Sequence, residues 1–168
     1  MKRFFPIIIM FGSLFSILSA KPLEVGATAP SIVSIDENGK EVKLEEAYAK
    51  GPVLVYFYPK ADTPGCTKQA CSLRDAYEQL QEKGIQIFGV SGDKPKAQKK
   101  FKEKFKLPFT LLADSEKKVI EAFGVPSMGS FAKRQAFLIK DGKIVWRDLK
   151  ASTTKQAEDV LAVVKDWK

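Results

Sequence analysis

The sequence predicts an α/β sandwich in which a mixed central sheet is flanked by helices, and two features carry that prediction. Apolar, β-branched runs alternate with helical patterns through the middle of the chain, and two more strand-like runs flank a turn signal near its end. Composition agrees, since 45% hydrophobic and 29% charged residues are the proportions of a soluble globular domain. A length of 168 residues gives room for one such domain, expected over 21–168.

The elements follow in order. Residues 21–30 form a polar lead-in, after which Ile32–Ile35 and Val42–Leu44 flank Asp36-Glu-Asn-Gly39, a hairpin signal. A short helix over 44–50 ends at Gly51-Pro52. Val53-Leu-Val-Tyr-Phe-Tyr58 is apolar without alternation, as in a strand buried on both faces, and belongs at the centre of a sheet. Pro59 stops it, Lys60–Gly65 is a loop, and a helical pattern runs from Cys66 to Lys83, closed by Gly84. Ile85–Val90 is a second buried strand, 94–106 a helix, Phe109–Leu112 a third strand and 115–123 a short helix. Residues 124–133 read as a loop. Gln135–Ile139 and Lys143–Leu149 make a hairpin around Asp141-Gly142, and a helix over 153–167 closes the chain. Thioredoxin-like topology fits this order, although the pattern alone leaves several α/β folds open.

The first twenty residues depart from the rest. Lys2 and Arg3 precede an apolar run from Phe4 to Leu18, closed by Ser19-Ala20, the layout of a secretory signal peptide. The run is shorter than the roughly twenty residues a spanning helix needs, and Pro6 and Gly12 interrupt it, so export is expected, to the periplasm or another extracytoplasmic space, with no stable membrane insertion after cleavage. The alternative is an uncleaved signal that tethers the protein to the membrane. Without Lys2 and Arg3 the chain still carries more basic than acidic residues. The densest basic stretch, 94–106, sets Ala97, Phe101 and Phe105 at helical spacing with lysines around them, which reads as a solvated helix face. Its polar side carries no aromatic residues for bases to stack on, so no nucleic-acid partner is expected.

The sequence has no histidine and only two cysteines, Cys66 and Cys71. The first fact removes Ser-His and Cys-His catalysis and histidine-ligated haem or zinc. An activated cysteine here must draw its reactivity from charges and dipoles. Cys66 lies where a buried strand gives way, through a loop, to a helix start, and the unpaired N–H groups there favour a thiolate. From position alone, the competing reading is an inert buried cysteine or half of a structural disulfide with Cys71.

The residues around Cys66 narrow the choice. Pro59-Lys-Ala-Asp-Thr63-Pro-Gly-Cys66 resembles the Pro-x-x-x-Thr-x-x-Cys motif of peroxiredoxins, and the run from Tyr56 to Asp75 is similar to the Q-type, or bacterioferritin-comigratory, subfamily. The resemblance extends from about Leu23 to the C-terminal helix. It implies a thioredoxin-like fold and a peroxidase of hydrogen peroxide and organic hydroperoxides, without cofactor or metal. In that implied scheme Cys66 attacks, Cys71 resolves the sulfenic acid as an intramolecular disulfide, and a thioredoxin-like partner reduces it. Thr63 and the Cys66 N–H would contact the peroxide oxygens, Pro59 would shield the sulfur, and Arg134, in Arg134-Gln-Ala-Phe-Leu-Ile139, would hold thiolate and peroxide. A monomer is implied too. Ala136 departs from the pattern, because relatives often carry Thr there. Taken singly, Thr63 also suits a helix N-cap and Arg134 a surface ion pair.

Two other readings compete. An exported disulfide reductase or oxidase of thioredoxin type normally needs Cys-x-x-Cys, and here four residues separate the cysteines. A binding module that keeps only the fold would have no use for the set Pro59, Thr63, Cys66 and Arg134.

Overall fold

A computed structural model describes residues 21–167. The expected signal peptide, residues 1–20, lies outside them. In chain order the elements are β1 (Val33–Ile35), β2 (Glu41–Lys43), α1 (Leu44–Lys50), β3 (Val53–Phe57), α2 (Pro64–Asp75), α3 (Tyr77–Glu82), β4 (Gln86–Ser91) and α4 (Pro95–Phe105). They continue with β5 (Thr110–Ala113), α5 (Lys118–Ala122), β6 (Ser127–Met128), β7 (Phe131–Ala132), β8 (Gln135–Lys140), β9 (Lys143–Asp148) and α6 (Gln156–Val164). Among the described residues no helix is long and apolar enough to cross a membrane.

The central sheet has the order β5-β4-β3-β8-β9. β3, β4 and β5 run parallel, while β8 is antiparallel to β3 and β9 to β8, so the sheet is mixed, as the sequence predicts. Every residue of β3 is buried. Its alternation divides the core in two: Leu54 and Tyr56 join Tyr58 in the cluster under α2, α4 and α6, and Val53, Val55 and Phe57 face α1 and α5 on the other side.

The structure differs from the sequence reading in three places. The helix expected over 66–83 begins at Pro64 and breaks at Ala76, whose φ −101° and ψ 12° are not helical. Tertiary packing overrides the helical pattern there: the turned segment sets Tyr77 against Phe109 and Leu80 in the core. The expected loop over 124–133 contains the small hairpin β6–β7. The last helix starts at Gln156, because the Ser152 Oγ accepts the N–H groups of Thr154 and Lys155 and holds the preceding turn.

The basic helix α4 is amphipathic as expected, with Phe101 buried and most of its lysines exposed. Two anchors on it are polar. Lys102 reaches Glu37, whose nearly buried carboxylate also accepts the Leu111 N–H, so the residue read as part of a turn ties β5 to α4. Gln98 is fully buried, accepts from Tyr58 Oη, and donates to Ser91 Oγ and the Leu112 carbonyl.

Gly89 faces Tyr56 across the β3–β4 ladder. A Cβ at residue 89 would lie 2.6 Å from Tyr56 Oη, 2.7 Å from its Cζ and 2.8 Å from Leu111 Cδ2. Gly89→Ala is therefore expected to cost about 2–3 kcal/mol in urea unfolding, the scale of an overpacked core. Tyr56 Oη has no hydrogen-bond partner among the described residues, so Tyr56→Phe alone is expected to be neutral or stabilising. A Gly89→Ala protein as stable as the parent would show that this corner of the core yields freely.

Candidate active site

The sheet determines where the site lies. β3 ends at Phe57, and Tyr58 extends its pairing by donating its N–H to the Val90 carbonyl before Pro59 turns the chain away. The following loop is pinned from β4, for the Asp93 carboxylate accepts the Ala61 N–H at 2.7 Å and the Ser91 hydroxyl at 2.7 Å. From the other side, Lys104 Nζ reaches both oxygens of Asp62, whose φ of 58° is left-handed. Thr63 takes the N-cap position of α2, and Pro64 occupies the first turn, where a missing N–H costs no hydrogen bond.

Cys66 falls in that first turn and is 1% exposed. Buried residues on α2 are Cys66, Gln69, Ala70 and Leu73, the stripe that one helix face buries. Across from it, the β3–β8 register pairs Phe57 with Gln135, which sets Arg134 beside the end of β3. Arg134 Nη2 lies 3.4 Å from Cys66 Sγ, and Nη1 donates to Gln69 Oε1. A Cβ at residue 65 would meet Nη2 at 3.2 Å, so Gly65 clears the approach of the guanidinium.

Of the residues singled out from sequence, Cys66 and Arg134 are in contact and Thr63 and Pro59 flank them on the loop. The Thr63 hydroxyl does not cap the helix, which corrects one of its two readings: it turns back and donates to the Lys60 carbonyl at 3.0 Å. Among the described residues Arg134 makes no surface ion pair, and its fork is spent on Cys66 and Gln69. Pro59 is partly buried and borders a small cleft shared with Lys60, Gly92, Asp93, Ser130 and Phe131. Cys71 stands apart. It is on α2 but off the buried stripe and partly exposed, and both cysteines are free thiols. Five residues of α-helix separate Cα atoms by about 8–9 Å and turn the side chains to different faces. A disulfide tolerates at most about 7 Å.

Behind the sulfur lie two aromatic hydroxyls, Tyr56 and Tyr58, stacked with centroids 5.5 Å apart. Burial pushes both phenols far up from their usual range. Tyr56 is raised further by Tyr58, Cys66 and Cys71, and Arg134 opposes that, so both remain neutral. Ala136 is buried opposite Tyr56.

Gln69 was missed by the sequence reading. A signal was present, since a polar residue three positions after Cys66 falls inside an otherwise apolar stripe. Asp93, which fixes the loop, carried none.

The model of the AhpC/TSA family matches residues 25–147. The chain belongs to the AhpC/TSA family. Within this family the likeness is to Q-type peroxiredoxins. Peroxiredoxin Q of Suaeda salsa, a chloroplastic protein, is 44% identical over 122 residues, 71% of this chain and 56% of the relative. The chain thus spans little more than half the length of such curated relatives. Among solved structures, the peroxidoxin BcpB of Mycobacterium tuberculosis is 31% identical with a TM-score of 0.82, covering 87% of this chain and 99% of that one. The bacterioferritin comigratory protein of Xanthomonas campestris, whose structure was studied for alkyl peroxide reduction activity, is 28% identical with a TM-score of 0.76 over 85% and 96% of the two chains. The expected thioredoxin-like sandwich and the expected Q-type peroxiredoxin resemblance are both borne out.

Removal of the cation on Cys66 is the direct test of the site's electrostatics. Arg134→Ala is expected to slow alkylation of Cys66 by iodoacetamide at neutral pH about tenfold, the loss of one charge-assisted hydrogen bond. Arg134→Lys should recover only part of it, because an ammonium cannot engage sulfur and Gln69 with one planar fork. Equal alkylation rates in all three proteins would reduce Arg134 to a structural residue.

Proposed function

We propose that this protein is a thiol peroxidase that reduces hydrogen peroxide and organic hydroperoxides with Cys66 as the attacking sulfur. The observation that carries this reading is the Arg134 guanidinium 3.4 Å from a nearly buried Cys66 Sγ in the first turn of a helix. A cation and unpaired helix N–H groups favour a thiolate in a pocket that a neutral thiol would otherwise prefer. The thiolate attacks one peroxide oxygen in line. A sulfur–oxygen bond forms, the oxygen–oxygen bond breaks, and the departing hydroxide or alkoxide takes a proton from solvent, leaving Cys66 as sulfenic acid. Charge grows on the departing oxygen, and Arg134 and the Cys66 N–H are the donors available to it, joined by the Thr63 hydroxyl once it turns from the Lys60 carbonyl. Pro59 walls the sulfur from bulk water. The alkyl peroxide reduction named for the Xanthomonas campestris relative supports the organic part of the substrate range.

In the second step the Cys71 thiol attacks the sulfenic sulfur. The Cys66–Cys71 disulfide forms and water leaves. Both cysteines lie on α2, so the helix must open first, and Pro64 and Gly65 put a weak start just ahead of Cys66. A thioredoxin-like dithiol then returns both thiols. No cofactor or metal enters these steps, and we take the active form to be a monomer.

Cys66→Ser is expected to abolish peroxide consumption, and Cys71→Ser to allow one oxidation to sulfenic acid and then stall without an external thiol. Oxidation of the parent should raise amide hydrogen exchange across about residues 64–76 while β3 and β4 stay protected. Steady turnover by Cys66→Ser would sink the assignment. Unchanged exchange on oxidation would mean that the disulfide joins two chains.

The apolar segment ahead of the fold supports export, to the periplasm or another extracytoplasmic space. A mature N-terminus near Lys21, read by mass spectrometry of the protein recovered from its native compartment, is the expected result. An intact Met1 in a membrane fraction would favour the tethered form.

A further inference from the structure

Behind the arginine runs a chain of amides. Gln69 Nε2 donates to Gln156 Oε1 at 2.8 Å, 87 residues away in sequence, and both side chains are fully buried. The polarity of this chain is fixed from its arginine end. A guanidinium has donors only, so Gln69 must offer it Oε1, which turns Gln69 Nε2 toward α6. An acceptor is needed there, and Gln156 Oε1 supplies it. Without that acceptor either end of the Gln69 amide could face Arg134, and with Nε2 inward two donors would oppose each other.

Gln156 does not serve stability well. Its Nε2 has no partner among the described residues, and its neighbours on α6, Ala157, Val160 and Val164, are apolar core. A methionine would fill the space and remove that unpaired donor, but it would leave the buried Gln69 Nε2 without its acceptor. A second link joins the same two helices, for the Ala157 N–H donates to Ser72 Oγ at 3.3 Å. Both links end on residues of the Cys66–Cys71 turn or its immediate successor, Gln69 between the cysteines and Ser72 just after them.

We propose that Gln156 is a positioning residue that acts on Cys66 through Gln69 and Arg134, and that the same contact latches α2 closed until Cys66 is oxidised. The inference rests on the peroxidase reading for its second half, since Gln69 must leave Gln156 when the turn opens for the disulfide. Its two halves have opposite signs. Loss of the Gln156 oxygen loosens Arg134 and slows the reactions of the Cys66 thiolate. The same loss frees α2 and speeds its condensation with Cys71.

The test is a double-mutant cycle on the full chain. Gln156→Met is expected to slow iodoacetamide alkylation of Cys66 about three- to tenfold, on the scale of one hydrogen bond, and to have no effect in an Arg134→Ala background. Gln156→Glu, which keeps an accepting oxygen, should restore much of the rate. After a stoichiometric peroxide pulse, Gln156→Met should form the Cys66–Cys71 disulfide several-fold faster than the parent. Thermal melting of each variant separates these changes from unfolding. An unchanged alkylation rate in Gln156→Met, or the same loss with and without Arg134, would overturn the positioning role, and an unchanged rate of disulfide formation would overturn the latch. The alkylation arm uses no peroxide. A parent protein that peroxide leaves reduced would therefore bring down the peroxidase reading and the latch that rests on it, while the positioning role is decided by the alkylation rates alone.

Discussion

A sulfur with 1% exposure can hold negative charge only where other charges or dipoles replace the water it has lost, and this requirement organises the active end of the molecule. The compensation comes from two elements that are distant in sequence. α2 starts at Pro64 and offers the free N–H groups of its first turn, while β8, antiparallel to β3, brings Arg134 to the same place. The register decides the second part. Pairing Phe57 with Gln135 leaves Arg134 level with Tyr58, one residue before the chain turns away at Pro59, and a one-residue slip would send the guanidinium to the other face of the sheet. The five buried residues of β3 therefore do more than fill the core: their two-sided burial holds the register that aims the arginine.

On the proposed mechanism, the helix whose first turn favours a Cys66 thiolate also separates it from Cys71. Stability and the proposed turnover pull on α2 in different directions. Closed, it keeps Cys66 in the first turn against Arg134, with Cys71 on another face. To join the cysteines it must give up that turn. The segment suits both demands. Pro64 fits a helix start and forms no hydrogen bond that has to break, and Gly65, where a Cβ would crowd the guanidinium at 3.2 Å, is a weak helix former at the place where the proposed opening begins. The break at Ala76 bounds the opening on the far side, so the movement need not run into α3, which is anchored by Leu80 in the core.

Legibility in the sequence divides along the same physical lines. β3 was legible because two-sided burial leaves an unbroken apolar run, and the loop and helix start because Pro59, Thr63 and Pro64 punctuate the chain locally. Arg134 was legible through the resemblance alone, as nothing local marks an arginine that acts across a sheet. The break at Ala76 was not legible, since alanine is the best helix former and only packing of Tyr77 and Leu80 turns the chain there. Gln69, Gln156, Gln98 and Asp93 hold the site through hydrogen bonds spanning from two to 87 residues. Their types, three glutamines and an aspartate, are mostly exposed in folded proteins, and burial is what reveals them. The Thr63 hydroxyl shows a further limit: its position fits a cap, but the side chain turns back to donate to the Lys60 carbonyl and its oxygen accepts no N–H of α2.

The absence of histidine gives the site a property that a Cys–His pair lacks. A Cys–His pair has two groups that titrate near neutrality, so its reactive form is confined to a pH window bounded on both sides. Here the cation is a guanidinium, protonated at any pH a protein survives. Beside it, the phenols of Tyr56 and Tyr58 are held neutral by burial, and the amides of Gln69 and Gln156 do not titrate. The site thus surrounds its sulfur with a guanidinium of fixed charge and with neutral amides and phenols, so neither the cation nor these four neighbours switches with pH.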